Sequence, residues 1–359
     1  MGRYKMLEKL YSACAIISCA VLLAASLFVS AAARLGFVAL PVDGGISGSG
    51  ETELQNIETP EKSDWLTEII DAPGEAYALE YYDLQFYTEE GEIPPEGEYK
   101  IVARDLAAKS IYEYYNETPY NPDIDVLLAE YNFDSKPAAV YKPLSVTPEP
   151  LVLIIHTHGT EGYAQLGATS YSSDNLPRST NTSQNIVAVG RAMRDELLKH
   201  GIPAIHCETM HDLVSYADSY KNSLATVKAY LKKYPSIKYI FDVHRDALIS
   251  TGTITKCVYE QNGTSVAQVM FVVGTDAGGA DYPHWQDNLA FALAAQSLAA
   301  ERFPGMMRPV SLRRASFNAQ YGYRNLLIEV GTCANTLAEA KAAGVQIASV
   351  LSELIARGY

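Results

Sequence analysis

From residue 148 onward, short unbroken aliphatic runs alternate with stretches of helical period. The run 151–155 (Leu-Val-Leu-Ile-Ile) is wholly apolar, the mark of a strand buried on both faces of a sheet. Ile186, Val189, Met193 and Leu197 share one face of a helix predicted over 185–198, with Ser183 as its cap and Gly201 as its stop. Strands are predicted at 203–207, 239–243, 253–259, 266–273 and 326–328. Helices are predicted near 220–234 and 286–302, with a last one over 336–356. This alternation predicts an α/β fold with a central, mostly parallel sheet flanked by helices. In such sheets, sites gather at the carboxyl ends of the strands.

Before residue 148 the pattern is weaker. Residues 76–148 are rich in Tyr, Pro and acids, with 106–115 the clearest helical stretch, and read as a membrane-proximal region. Residues 41–75 mix Gly, Ser, Glu and Pro without a period and read as a flexible linker. Further back, 11–33 is a run of 23 residues without a formal charge, and a bilayer core needs about 20. Arg3, Lys5 and Lys9 precede it, whereas Asp43, Glu51, Glu53 and Glu58 follow. That bias predicts a cytoplasmic tail at 1–10, a transmembrane anchor at 11–33 and everything after residue 40 outside the cytoplasm. A signal peptide cleaved near Ala31-Ala32-Ala33 is the alternative, and it too exports the main domain, 149–359.

Composition narrows the chemistry. A net charge of -14 over 359 residues excludes a basic nucleic-acid surface, because phosphate backbones demand clustered Lys and Arg. Five cysteines without a CxxC pair give neither a disulfide framework nor a zinc ribbon. Ser172 and Ser183 lack a GxSxG context. The Gly274–Gly279 loop lacks the helix start that dinucleotide binding requires.

Three buried strands run into potentially reactive residues. The first leads into His156-Thr157-His158-Gly159-Thr160-Glu161, the second into His244-Arg245-Asp246 and the third into Glu329-Val330-Gly331. Two or three His with one or two Glu at a carboxyl edge match a catalytic zinc site of three protein ligands. Residues two apart on an extended strand point the same way, so His156 and His158 either both face one metal or divide the work, one as ligand and one as its orienter. Glu329, a carboxylate beside an apolar strand, sits where burial is expensive unless it is paired or used. Arg245 and Arg178 have two readings, substrate carboxylate binding or structural ion pairing. His206, His211 and His284 fall outside the cluster and read as structural or surface residues.

The strings at 153–163, 178–190, 241–247 and 326–331, together with Asn335, resemble the stage II sporulation protein P family in consistent order from about 145 to the end. The resemblance implies a fold related to zinc-dependent N-acetylmuramoyl-L-alanine amidases. It implies cleavage of peptidoglycan between N-acetylmuramic acid and the stem peptide, endopeptidase action on cross-links, and a setting in septal wall thinning during engulfment. It places the protein in the mother-cell membrane, single-pass, with its domain facing the septal or intermembrane space. Partners implied are stage II sporulation proteins D and M. By position, His158 or His156 answers to the first zinc ligand, His244 to the later His ligand and Glu329 to the catalytic glutamate. The usual Glu ligand before the following helix has no counterpart in 180–184. Glu161 is the substitute, with a His156/His158 pair as the other way to fill the place. Two further readings are a catalytically silent wall-binding or scaffold protein and a zinc peptidase of other specificity.

Overall fold

The computed structural model describes residues 98–129, 149–172, 177–250, 252–322 and 324–358. Its elements are β1 (Glu98–Arg104), β2 (Tyr114–Asn116), α1 (Ile124–Ala129), β3 (Val152–Ile155), β4 (Ser170–Ser172), α2 (Ile186–Lys199), β5 (Ala204–His206) and α3 (Ser219–Lys233). Then follow β6 (Tyr239–Asp246), β7 (Ile249–Ser250), β8 (Thr253–Gln261), β9 (Thr264–Ala267), β10 (Val269–Gly274), α4 (Trp285–Arg302), β11 (Val310–Arg313), β12 (Asn325–Thr332) and α5 (Leu337–Ala356). All lie in one compact unit, 64–359. The predicted tail, anchor and linker at 1–10, 11–33 and 41–75 fall outside the described residues, among which no helix is long and apolar enough to cross a membrane.

Seven strands form the main sheet in the order β2-β11-β10-β12-β6-β3-β5. Every neighbouring pair is parallel except β10 with β12. The aliphatic run of β3 splits by its period of two. Val152 and Ile154 join the large core with Val189, Met193, Phe291 and Ile347, while Leu153 and Ile155 pack toward Val227 and Ile237 on the other face. Helices α2, α4 and α5 therefore cover one face and α3 the other. Strands β4, β1, β8 and β7 form a second sheet, with β9 paired to β8.

Three local expectations differ. The stretch 106–115 is not a helix: Leu106 N donates to Gln268 Oε1 at 2.8 Å and Ala108 N to Met307 O at 2.8 Å. Tyr114, Tyr115 and Asn116 then pair with β11, so long-range pairing overrides local propensity. The sequence boundary at 149 also separates what the fold joins, since β1 pairs with β8 and β4, and β2 with β11. Finally, α2 is capped by Asn185, whose side chain accepts from Val187 N at 3.0 Å, rather than by Ser183.

Candidate functional site

The carboxyl ends of β3, β6 and β12 meet side by side. Register pairs Glu329 directly with His244, and β3 lies on the other side of β6. After Glu329 the β12 ladder shifts register, and Gly331 takes φ +69°, where a Cβ would come 2.9 Å from Asn335 Oδ1. Only glycine makes that bulge without strain, and the bulge turns the strand at the site.

His158, Glu161, His244 and Glu329 come together here, all buried. The His158 and His244 rings stand edge to face with centroids 5.3 Å apart. His244 Nδ1 lies 3.5 Å from Glu161 Oε2, and its Nε2 lies 2.9 Å from Asp242 Oδ1, close but not aligned as a hydrogen bond. Tyr216 stacks on His158 at 4.4 Å and Tyr220 meets its edge. One oxygen of Glu329, Oε2, and His158 Nδ1 are buried without hydrogen-bond partners. Buried polar atoms are nearly always paired, so orphans clustered at strand ends mark a place where something is received.

The charges diverge. Burial, then the nearby Asp246, pushes the Glu329 carboxyl up to about 8. Burial alone would raise Glu161 as well, but Arg245 and His244 outweigh it and hold that carboxyl at about 2. His158 is lowered to about 4 by burial. His244 goes the other way: burial opposes its charged form, but Asp242 and Glu161 raise it well above the ordinary imidazole value. Two carboxyl groups in one site with pKa values driven apart separate a fixed anion from a proton carrier.

The remaining sequence candidates stand elsewhere. His156 turns away from His158: its Nδ1 donates to Val243 O at 2.8 Å and its Nε2 meets His206 Nε2 at 2.8 Å, under α2. It lies just past the end of β3, so the period of two no longer fixes its direction. Arg245 is buried, with Nε donating to Gly162 O at 3.1 Å and Nη2 to Pro177 O at 3.2 Å. Arg178 donates through Nη1 to Asp212 Oδ2 at 2.8 Å and Thr160 Oγ1 at 2.7 Å. Both guanidiniums thus brace the loop that carries His158 and Glu161. His211 is buried, its Nδ1 2.7 Å from His156 O and its Nε2 2.8 Å from Thr226 Oγ1.

Sequence reasoning did not single out Asp242, Asp212, Tyr216, Tyr220 or Arg308. Asp242 carried a signal, a carboxylate inside an aliphatic run two residues before His244. Asp212 and Arg308, which pairs with Asp246 at 2.8 Å, reach the cluster from loops, where no period points to them.

The fold and site define an α/β domain whose mostly parallel sheet brings a buried His–Glu–Asp cluster to its carboxyl edge. The family model described as Stage II sporulation protein P (SpoIIP) matches residues 95–352, and the chain belongs to that family. No curated protein matches it. Among solved structures it is similar to the N-acetylmuramoyl-L-alanine amidase AmiC2 of Nostoc punctiforme, at 14% identity and TM-score 0.32 over 59% of this chain and 96% of that one. It is similar also to the CwlD amidase from Clostridioides difficile, solved with the GerS lipoprotein, at 14% identity and TM-score 0.33 over 57% and 96%. A third is the apo amidase Ami1 from Mycobacterium abscessus, at 11% identity and TM-score 0.33 over 57% and 96%.

Proposed function

We propose that this chain is a zinc-dependent peptidoglycan hydrolase, cutting the amide between N-acetylmuramic acid and the stem peptide and also stem-peptide cross-links. The observation that carries the reading is the meeting of His158, Glu161, His244 and Glu329, buried together at adjacent strand ends with an orphaned Glu329 oxygen. Family membership supports a setting in sporulation. The reading includes the anchor at 11–33, a domain outside the cytoplasm, and stage II sporulation proteins D and M as partners.

The donor set fits zinc, which takes imidazole nitrogen and carboxylate oxygen. Two donors on one tetrahedral zinc stand about 3.3 Å apart, given bonds of about 2.0–2.2 Å. The 3.5 Å between His244 Nδ1 and Glu161 Oε2 suits that spacing and is long for a hydrogen bond. Among the described residues no three His, Cys, Asp or Glu side chains are already gathered round one point, so this reading has His158 complete the set on binding. A zinc ion held there supplies Lewis acidity that activates water and polarises an amide carbonyl.

The protein's own groups do the rest. Glu161, held anionic by Arg245, supplies a fixed negative charge. Glu329 takes the proton of the attacking water at its orphaned oxygen and returns it to the departing amine. Its raised pKa suits that double role, since a proton carrier works best when its pKa lies near the working pH. Tyr216 and Tyr220 fix the plane of the His158 ring.

The test measures zinc stoichiometry and stem-peptide release from purified peptidoglycan for wild type and His244→Ala. One zinc per chain and turnover, both lost in His244→Ala, is the expected result. No zinc and no turnover, even with partners present, would replace this reading with the scaffold one.

A further inference from the structure

Each of the two clustered imidazoles has an aspartate behind it. Asp242 and His244 lie two apart on β6 and so face the same side. Asp242 is buried and immobilised by Thr157, whose N donates to Oδ1 at 2.8 Å and whose Oγ1 donates to Oδ2 at 2.5 Å. Its Oδ1 stands 2.9 Å from His244 Nε2, while the other ring nitrogen, Nδ1, faces Glu161.

Asp212 repeats the pattern from a loop. Its Oδ1 accepts from Thr160 N at 3.0 Å, and its Oδ2 accepts from Thr160 Oγ1 at 2.6 Å and Arg178 Nη1 at 2.8 Å. The same Oδ2 lies 4.0 Å from the orphaned Nδ1 of His158.

A neutral imidazole carries one proton, and the nitrogen that bears it donates while the other offers its lone pair. A carboxylate accepts only, so a fixed aspartate draws the proton to the nitrogen it faces and leaves the far nitrogen free for a ligand. Burying a carboxylate in the middle of an apolar strand is costly, and at position 242 the Thr157 hydrogen bonds and the adjacent His244 ring are what offset it. We infer that Asp242 and Asp212 are positioning residues that fix the tautomers of His244 and His158, so that His244 presents Nδ1 and His158 presents Nε2 to the metal. This rests on the zinc reading of the site. Asp242 acts more strongly, because its oxygen stands 2.9 Å from the ring nitrogen and needs only realignment, whereas Asp212 at 4.0 Å stands beyond hydrogen-bond reach of its ring.

The test uses the full chain in detergent, with zinc affinity measured by competition against a chromophoric chelator and ring tautomers read by two-bond ¹H–¹⁵N correlation at a pH alkaline enough to leave the His244 ring neutral. In Asp242→Asn the atom that accepts from Thr157 N is the one that faces Nε2, so an uncharged amide oxygen replaces the carboxylate there and the pull on the Nε2 proton weakens. The zinc dissociation constant is expected to rise about 10–100-fold, with the Nδ1–H form of His244 gaining population at the expense of the Nε2–H form. Asp212→Asn is expected to weaken zinc only a few-fold, in keeping with the longer contact. Wild type that binds zinc no better than Asp242→Asn, or an Nδ1–H tautomer for His244 in metal-free wild type, would overturn the inference. Wild type that binds no zinc would instead sink the metal reading, and the tautomer spectrum would still decide whether Asp242 orients the ring. Should Asp242→Asn fail to fold, the wild-type spectrum and Asp212→Asn carry the test.

Discussion

His156 and His158 are separated by one residue, both are buried, and they belong to regions with opposite character. Under α2, His156 is closed at both ring nitrogens by its pair with His206: Val243 O accepts from His156 Nδ1 and His206 Nε2 donates to His156 Nε2, leaving only His206 Nδ1, 3.7 Å from Glu208 Oε1, outside the pair. At the strand ends, His158 Nδ1 and Glu329 Oε2 are buried with no hydrogen-bond partner among the described residues. Burial is common to both and decides nothing. What separates the two rings is whether their own buried nitrogens are satisfied, because an unsatisfied one costs on the order of 1–3 kcal/mol and persists only where something offsets it. Breaking each region should therefore give opposite signatures, loss of activity with stability kept at the strand ends and loss of stability with activity kept under α2.

The largest effect belongs to the open region. Glu329→Gln keeps the side chain's shape and removes its ability to carry a proton, so turnover of purified peptidoglycan is expected to fall by about 10²–10⁴-fold. Since the carboxyl is buried with an unpartnered oxygen, the melting temperature should hold or rise. A large drop in melting temperature with modest loss of turnover would place Glu329 on the structural side of the comparison.

The converse holds under α2. His156→Ala opens a cavity and leaves Val243 O and His206 without their partner, which should cost about 2–4 kcal/mol in denaturant unfolding. Turnover per folded molecule should stay close to wild type. A catalytic loss matching that of Glu329→Gln would return His156 to the site, as the strand period alone suggested.

Gly190 offers a smaller perturbation of the same pair from the helix side. A Cβ there would sit 2.5 Å from His156 Nε2 and 2.6 Å from His206 Nε2. Although Ala outranks Gly as a helix former, Gly190→Ala is expected to destabilise by about 1–3 kcal/mol through overpacking. A stabilised variant would mean that the two rings yield easily.

Of the main sheet the sequence carried β3, β5, β6, β10 and β12, chiefly because buried strands hold apolar runs, unbroken in β3 and interrupted by Asp242 in β6, but it missed β11. It carried β1 and β2 badly. Tyr114–Asn116 is short and half exposed, so it lacks both the aliphatic run and the alternation that betray a strand, and only pairing with β11 makes it one. Site legibility followed the same line. His158, His244 and Glu329 were visible because an apolar run delivers each to the same edge. Asp212 and Tyr216 were not, because a loop brings them in. Nor was the division between His156 and His158, which depends on where β3 ends and on a histidine at the end of β5.

The remaining predicted effect concerns pH and isolates the closed pair again. Burial lowers His156 to about 4 and holds His206 well below the ordinary imidazole value of 6.5. Between those values the unfolded chain binds protons that the folded chain refuses. The pair's contribution to stability therefore rises with pH across the window and is lost as pH falls from about 6.5 toward 4, against the opposite slope of Glu329, whose carboxyl is raised to about 8 in the folded chain. For His156 alone, a shift of that size is worth roughly 2 kcal/mol between pH 7 and pH 5. The slope should shrink in the double variant His156→Gln/His206→Gln, measured by denaturant unfolding at a series of pH values. It should not vanish, because His158 is also lowered to about 4 by burial and titrates in the same window. The buried acids Glu161 and Asp242 act only at lower pH, since both are depressed below the ordinary carboxylate range and lose their contribution as pH falls further. An unchanged slope in the double variant would show that the pair is reached by protons without unfolding, and that the closed region opens more readily than its packing under α2 implies.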